Sequence, residues 1–287
     1  MSETAHVLGI SFSGNALYYA LRPKNETSYL SYIGKADFSF SVLDAFRNAD
    51  EKLCAHIHRA ISRITSGLEA DTIRIVSFPQ FECWTSLPKI AYDVPAEREA
   101  HLKLLAFGLE RRNIETTWFE TGIQDFRFLC IRDLTMVRML NACTASFYST
   151  EYCSDFEVGM EWMKLTGNSG SFMALGCGHE SISVSSFVLG KLRAATSIRK
   201  TRPENLVYAW RQNETSLAWM NGYHDEILLY GPNADLVRNH LAPVLESKAE
   251  IRSISTLDEI GVQAAEQTYS FPLQHAFPAI MMAVRQD

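Results

Sequence analysis

Residues 7–22, VLGISFSGNALYYALR, decide the fold together with their counterpart, residues 172–193, FMALGCGHESISVSSFVLGKLR. In each stretch, short apolar runs are separated by glycine and small polar residues, as expected for strands joined by tight turns. Gly14 and Asn15 tolerate the positive φ angles that such turns require. Each stretch therefore predicts a β-hairpin.

The elements that follow the first hairpin recur, in the same order, after the second. A third strand is predicted first, and then a helix, because apolar residues from Leu43 to Ile64 recur at helical spacing until Gly67 ends the pattern. Residues 72–78 form the next buried strand. After the second hairpin, the strand in the same place is residues 226–230.

This repeated order predicts an α/β protein of two duplicated lobes with a cleft between them. We expect the first lobe to be residues 1–166, with an inserted subdomain around residues 80–147, and the second lobe to be residues 167–287. A chain of 287 residues is long enough for two lobes.

Composition excludes several functional classes. The formal net charge of −6 lacks the basic footprint of a nucleic-acid-binding protein. The longest apolar runs, such as residues 279–284, fall far short of the ~20 residues that cross a bilayer. Residues 1–6 show no secretory signal, so we expect a cytoplasmic protein. The six cysteines form no CxxC pair, which argues against a zinc site and a disulfide framework.

The duplicated order, with a glycine turn after the first strand of each lobe, resembles the actin/Hsp70/sugar-kinase superfamily. Within that superfamily the chain is similar to PilM-like proteins of type IV pilus assembly and to uncharacterised bacterial relatives. Residues 8–10 match the first hairpin, residues 173–192 the second, and residues 97–111 with 117–133 a helix and the extended segments after it. The resemblance implies two RNase H-like lobes, each a mixed sheet flanked by helices.

The resemblance also implies a nucleotide cleft, in which both hairpins cradle the ATP phosphates and residues 226–234 contact the adenosine. The matching positions in this sequence are Ser11, Ser13, Gly14, Gly176, Gly178 and Gly231. The same glycines are also explained by the turns in which they stand.

The chain departs from the family at each of these motifs. Nucleotide-binding members carry an aspartate in each hairpin, which holds Mg²⁺ through water, whereas this chain has Ser11 and Gly176. The second turn is about two residues shorter than usual, so fewer backbone N–H groups can converge on a phosphate. Pro232 replaces a second glycine beside the adenosine. We therefore expect no catalytic residue, no metal and no cofactor.

These departures favour a catalytically inactive scaffold or adaptor that binds a protein or peptide partner. The resemblance suggests the cytoplasmic tail of an inner-membrane pilus protein as that partner, and self-association is left open. The alternative is an active ATPase or kinase that binds Mg-ATP with substitute acids such as Glu180. A small molecule other than a nucleotide in the cleft is a third hypothesis.

Two further groups of residues have side chains suited to a functional role. The acids Asp125, Asp133, Asp155 and Glu157 have no spacing that fixes a catalytic geometry, so none is assigned a role. Trp118 and Phe119 are adjacent in an extended segment, so they point to opposite faces. Core packing is the favoured explanation for each residue alone, and the alternative left open is that one of the two is an exposed anchor for a partner.

Overall fold

The computed structural model describes residues 6–68, 70–144, 149–199, 203–246, 249–265 and 271–286; residues 145–147, at the end of the predicted subdomain, lie outside these ranges. The strands are β1 (His6–Ser13), β2 (Ala16–Pro23), β3 (Tyr29–Leu30), β4 (Tyr32–Asp37), β5 (Ala70–Val76), β6 (Glu82–Pro88), β7 (Ile114–Glu120), β8 (Phe126–Asp133), β9 (Ser149–Cys153), β10 (Phe172–Cys177), β11 (Ser181–Val188), β12 (Lys191–Arg199), β13 (Glu226–Tyr230), β14 (Glu250–Ser253) and β15 (Gln263–Ala264). The helices are α1 (Val42–Arg47), α2 (Glu51–Leu68), α3 (Ile90–Asp93), α4 (Pro95–Leu105), α5 (Thr135–Thr144), α6 (Phe156–Thr166), α7 (Leu206–Ser216), α8 (Ala234–Leu245) and α9 (Leu273–Val284).

Two five-stranded sheets share one topology. The first has the order β4-β2-β1-β5-β9 and the second the order β12-β11-β10-β13-β14. In both sheets the first three strands are antiparallel neighbours, and the remaining two join in parallel. The predicted α/β fold of two duplicated mixed sheets is confirmed.

The two hairpins lie at the centre of these sheets. β1 is buried along all but its end residues, and β10 along its whole length, because helices cover both faces of the sheet there. Gly14 has a φ of +59° in the turn of the first hairpin, the left-handed conformation that glycine adopts at low cost.

The core is arranged in layers. The outer face of the first sheet packs on α1, α2 and α5, and the outer face of the second sheet packs on α7 and α8. Between the two sheets lie α6 and α9, where Trp162 and Phe277 join buried residues from both sheets. The predicted boundary between the lobes, after residue 166, coincides with the end of α6. This division into lobes remains a prediction.

The last helix, α9, is held against the first sheet. A Cβ on Gly9 of β1 would overlap the main-chain oxygen of Ala279 and lie 2.6 Å from the nitrogen of Ala283. Two buried arginines bind the carbonyls at the end of α9: Arg22 Nε donates to Ala283 O at 2.6 Å, and Arg74 Nη1 to the carbonyl oxygen just beyond the helix, also at 2.6 Å. Although α9 is strongly apolar, the described ranges contain no helix with the length and apolarity that a membrane crossing requires.

Two predicted elements prove to be divided. The single helix expected from Leu43 to Gly67 is two helices, because Ala49 adopts a positive φ of 48° and Asp50 caps α2 by accepting from the N–H groups of the residues two and three places later. The predicted third strand is also split. Its first part, β3, pairs with β15 rather than with β2.

The predicted inserted subdomain contains a three-stranded sheet in the order β6-β8-β7, with α3 and α4 on one face. Trp118 faces these helices and contacts Tyr92. Phe119 faces the other way and packs on Phe128 and Phe156. Core packing, the favoured explanation, holds for both residues, because the helices cover one face of the sheet and the central core covers the other.

Candidate functional site

All six residues predicted for the nucleotide cleft line one cavity between the two sheets. Ser11, Ser13 and Gly14 come from the first hairpin, Gly176 and Gly178 from the second, and Gly231 from the end of β13. The cavity measures about 680 Å³ including its open mouth. It lies at the carboxyl ends of β1, β5, β10 and β13, where open α/β sheets usually bind ligands. Binding of a nucleotide by these residues remains a prediction.

Three serine hydroxyls in this cleft have no hydrogen-bond partner among the described residues. They belong to Ser11, Ser13 and Ser77, and the first and last of these residues are buried. Buried polar atoms are normally paired. Each of these three oxygens is shielded from solvent, so the lining of the cleft contains unpaired polar atoms.

Gly176 stands where the resemblance places the second magnesium-binding aspartate. A Cβ at this position would overlap Asp155 Oδ2 and Ser183 Oγ and lie 3.0 Å from the ring of Tyr230. An acidic side chain here would have to displace all three groups. The space is filled by other parts of this chain.

Asp155 links the two halves of the molecule across the cleft. It immediately precedes α6, and its carboxylate accepts hydrogen bonds from Ser183 on β11 and, at 3.0 Å, from the hydroxyl of Tyr230 on β13. Burial raises the pKa of Tyr230 well above its usual value of 10.0, so its hydroxyl stays protonated and can donate. We call this arrangement the Asp155 bridge.

The Asp155 bridge predicts a pH dependence of stability. Burial raises the pKa of Asp155 to about 6, although the hydrogen bonds from Ser183 and Tyr230 oppose the shift, and Glu82 adds to it. Because the folded-state pKa lies above the usual 3.8, folding favours the protonated form. The resulting stabilisation is complete below about pH 4 and is lost as the pH rises through about 6.

Urea unfolding between about pH 4 and pH 7 measures this contribution. We expect the contribution of this group to fall by up to about 2 kcal/mol, less than the full shift implies because the cleft admits water. The variant Asp155→Asn cannot titrate, so its free energy of unfolding should change less over this range. Parallel curves for the two proteins would show that Asp155 does not titrate in this way.

The two hairpin turns also touch at the mouth of the cleft. The ring of His179 lies against Gly14, so that a Cβ on this glycine would come within 2.5 Å of it. Arg47 Nη2 pairs with Glu180 Oε2 at 2.9 Å, and the amide of Gln80 donates to Ser181 Oγ at 2.9 Å. The first contact joins the two hairpins, and the other two join the second hairpin to α1 and to the segment after β5. We call these three contacts the hairpin clasp.

Backbone donors in the second half of the cleft are already used within the protein. The N–H of Gly178 faces two carbonyls of its own turn, Gly176 O at 3.2 Å and Ser181 O at 3.1 Å. The N–H of Gly231 donates to Gln274 O at 2.8 Å, and this glycine has a φ of +96°. The glycines therefore meet the conformational needs of their turns.

The charges around the cleft do not favour a triphosphate. Among the described residues, the lining contains the acids Asp155 and Glu180 but no lysine or arginine. Burial lowers the pKa of His275, which favours its neutral form. In the described ranges, no group of three or more His, Cys, Asp or Glu side chains has an arrangement that could hold a metal ion.

The sequence did not predict the three residues that form the Asp155 bridge. The sequence assigns no role to Asp155, places Tyr230 only within the segment expected to contact an adenosine, and does not single out Ser183. The three come together only because α6 begins beside β10, β11 and β13. No local motif in the sequence signals this contact.

No protein-family model and no curated protein matches this sequence, whereas solved structures do. The PilM-PilN type IV pilus biogenesis complex is similar with a TM-score of 0.68, 11% identity and coverage of 98% of each chain. A protein from Bacteroides thetaiotaomicron with an actin-like ATPase fold and unknown function is similar with a TM-score of 0.51 and 17% identity, over 87% of this chain and 91% of that chain. The cytoplasmic domain of EpsL, an inner membrane component of the type II secretion system of Vibrio cholerae, gives a TM-score of 0.51 and 10% identity, over 90% of this chain and 93% of that one. These matches confirm the predicted actin-like fold.

Proposed function

We propose that this chain, which has the actin-like fold, is a catalytically inactive scaffold or adaptor that binds a protein partner in a pilus or secretion assembly. The observation that carries the proposal is the packing around Gly176. The Asp155 bridge fills the space that an aspartate at this position would occupy. Enzymes that transfer phosphoryl groups depend on bound metal ions to neutralise the developing charge. Ser11 and Gly176 supply no anchor for such an ion.

The hairpin clasp supports the same proposal. In a nucleotide-binding member of the family, the phosphates lie between the two hairpins. Here His179 contacts Gly14 between the hairpins, and beside them Arg47 of α1 pairs with Glu180. The two halves are thus joined by side chains where the family uses a ligand.

The partner class is argued from the similar structures. One of them is a complex of PilM with PilN, and another is the cytoplasmic part of an inner membrane component of a secretion system. By analogy we propose that this chain binds a cytoplasmic segment of an inner-membrane protein and acts in the cytoplasm. The analogy rests on the fold, since identity to these proteins is 11% and 10%.

A thermal-shift experiment with ATP or ADP and Mg²⁺ tests the inactive cleft. We expect the melting temperature to stay within about 1 °C of the value without nucleotide. A ligand at about 100 times its Kd would add about 2.7 kcal/mol, or roughly 5 °C for a chain of this size. A rise of that size, together with hydrolysis that Glu180→Gln abolishes, would contradict the proposal and favour an active ATPase or kinase.

A further inference from the structure

The inserted subdomain carries exposed apolar residues around a groove between the end of α4 and the start of β7. Phe107 is 90% exposed and Leu109 is 45% exposed. The groove measures about 830 Å³ including its open mouth. Its apolar lining and its strand side are formed by Leu102, Ala106, Phe107, Leu109, Ile114 and Thr116. Apolar residues that gather in a concave surface, unlike single exposed ones, indicate a binding site.

The strand beside this groove has an open edge. β7 pairs with β8 on one side and, within the described residues, with no strand on the other. Leu134 N donates to Asn113 O at 2.8 Å. Because hydrogen-bonded and outward-facing residues alternate along an antiparallel strand, the main-chain N–H and C=O of Thr116 point away from β8.

Beyond the other end of β7, the main chain is already bonded to a neighbouring strand. Gly122 lies two residues beyond the end of β7, and its N–H donates to Leu192 O of β12 at 3.1 Å. The main chain just past this end of β7 is thus already bonded to another strand. Around Thr116, which is exposed, no described main chain takes that place.

We propose that the edge of β7 and the adjoining groove bind an extended peptide segment of a partner protein. The peptide adds a strand beside β7, and its apolar side chains pack on Phe107 and Leu109. In this mode of recognition, main-chain hydrogen bonds provide affinity and side-chain pockets provide specificity. The inference rests on the proposed function, in that it gives the adaptor a surface for its partner.

The charges around the groove further define the peptide. Two cations, Lys103 and Arg111, and one acid, Glu99, line it. Glu99 is already paired with Arg111 at 2.8 Å, whereas Lys103 makes no ion pair with any described residue. This local excess of positive charge stands on a chain with a net charge of −6. The groove therefore suits a peptide that carries an acidic residue beside its apolar ones.

The test uses the full chain and a display library of random peptides about ten residues long, the length of a long strand. Peptides recovered from the library are measured by fluorescence anisotropy against the parent and four variants. Thr116→Pro removes the outward N–H without a loss of pairing to β8, a change that edge strands tolerate. Phe107→Ser removes the apolar surface of the groove. The matched controls are Thr116→Val, which keeps the N–H, and Leu104→Ser, which removes an apolar residue 74% exposed outside the groove.

The expected result is recovery of peptides with apolar and acidic residues whose Kd rises about tenfold or more in Thr116→Pro and in Phe107→Ser. The two controls should change it by about twofold or less. Melting temperatures establish whether each variant is folded. If Thr116→Pro does not fold, the affinity of Phe107→Ser alone tests the proposal.

Other outcomes would overturn the inference. These are a library that yields no binder, binders unaffected by Phe107→Ser, and a dimer in sedimentation that Thr116→Pro dissociates, which would assign the edge to a second copy of this chain. Failure here leaves the inactive cleft untouched, because nucleotide binding is measured separately. Conversely, hydrolysis of Mg-ATP by the protein would contradict the proposed inactive function but would not alter the measured affinity for the peptides.

Discussion

Replacing Gly9 with alanine is expected to lower the free energy of unfolding by roughly 3 kcal/mol or more. The strand that carries Gly9 lies directly on the backbone of α9, where the new Cβ would overlap the oxygen of Ala279. Backbone on both sides leaves no flexible side chain to move away. Either α9 lifts off the first sheet or β1 shifts, and both changes expose buried apolar surface.

The matched control for this experiment is Gly67→Ala on α2. A Cβ at Gly67 has nothing within 4 Å, and alanine favours a helix over glycine by up to about 1 kcal/mol. The control should therefore be as stable as the parent or slightly more stable. Urea unfolding of the three proteins measures the difference. Unfolding of Gly9→Ala at the same urea concentration as the parent would show that α9 does not approach β1 this closely.

The second large effect is expected at Gly176. Changing it to aspartate, which restores the acid of the family, should cost roughly 2–3 kcal/mol and should not produce binding of Mg-ATP. The new side chain would overlap Asp155 and Ser183 and would place a second carboxylate beside the first. Two carboxylates at this separation repel each other, and partial burial adds to the cost of charging both.

A second substitution tests the cause of that loss. Asp155→Ala removes the competing carboxylate, so the double variant should recover part of the stability lost in Gly176→Asp. Gly178→Ala serves as a control in the same turn, since its Cβ meets only Ser181 O at 3.1 Å, and its loss should be much smaller. Urea unfolding and the thermal shift with Mg-ATP give both readouts. Tight nucleotide binding by Gly176→Asp at unchanged stability would show that the space is not filled.

The order of elements could be predicted from the sequence because its signals are local. The alternation of apolar runs and small turns marked β1, β2, β10 and β11, and residues 226–230 agree with β13 from end to end. Two predictions, the undivided third strand and the single long helix, are wrong. One depends on a partner distant in the chain and the other on the backbone conformation of a single residue. β3 separates from β4 because its partner, β15, comes from residues 263–264, and the helix breaks because Ala49 adopts an unusual φ.

The candidate site shows the same division. Its six predicted residues came from a resemblance in the order of elements, and the structure brings all of them to one cleft. The Asp155 bridge could not be foreseen, because a side chain from the start of α6 meets groups on β11 and β13 only after both sheets are assembled. Whether the space of the absent aspartate at Gly176 stays open or is filled depends on such neighbours. The spacing of residues along the sequence does not show which neighbours these are.

The contact between β1 and α9 has a consequence for synthesis on the ribosome. β1 is translated well before the helix that covers Gly9 and whose last carbonyls bind Arg22 and Arg74, because all the other strands and helices lie between the two in the sequence. Until then, one apolar face of the first sheet has no permanent neighbour. Nascent chains with such exposed surface are prone to aggregate and to bind chaperones. The first sheet of this protein can thus begin to fold early but can complete its packing only when α9 is available.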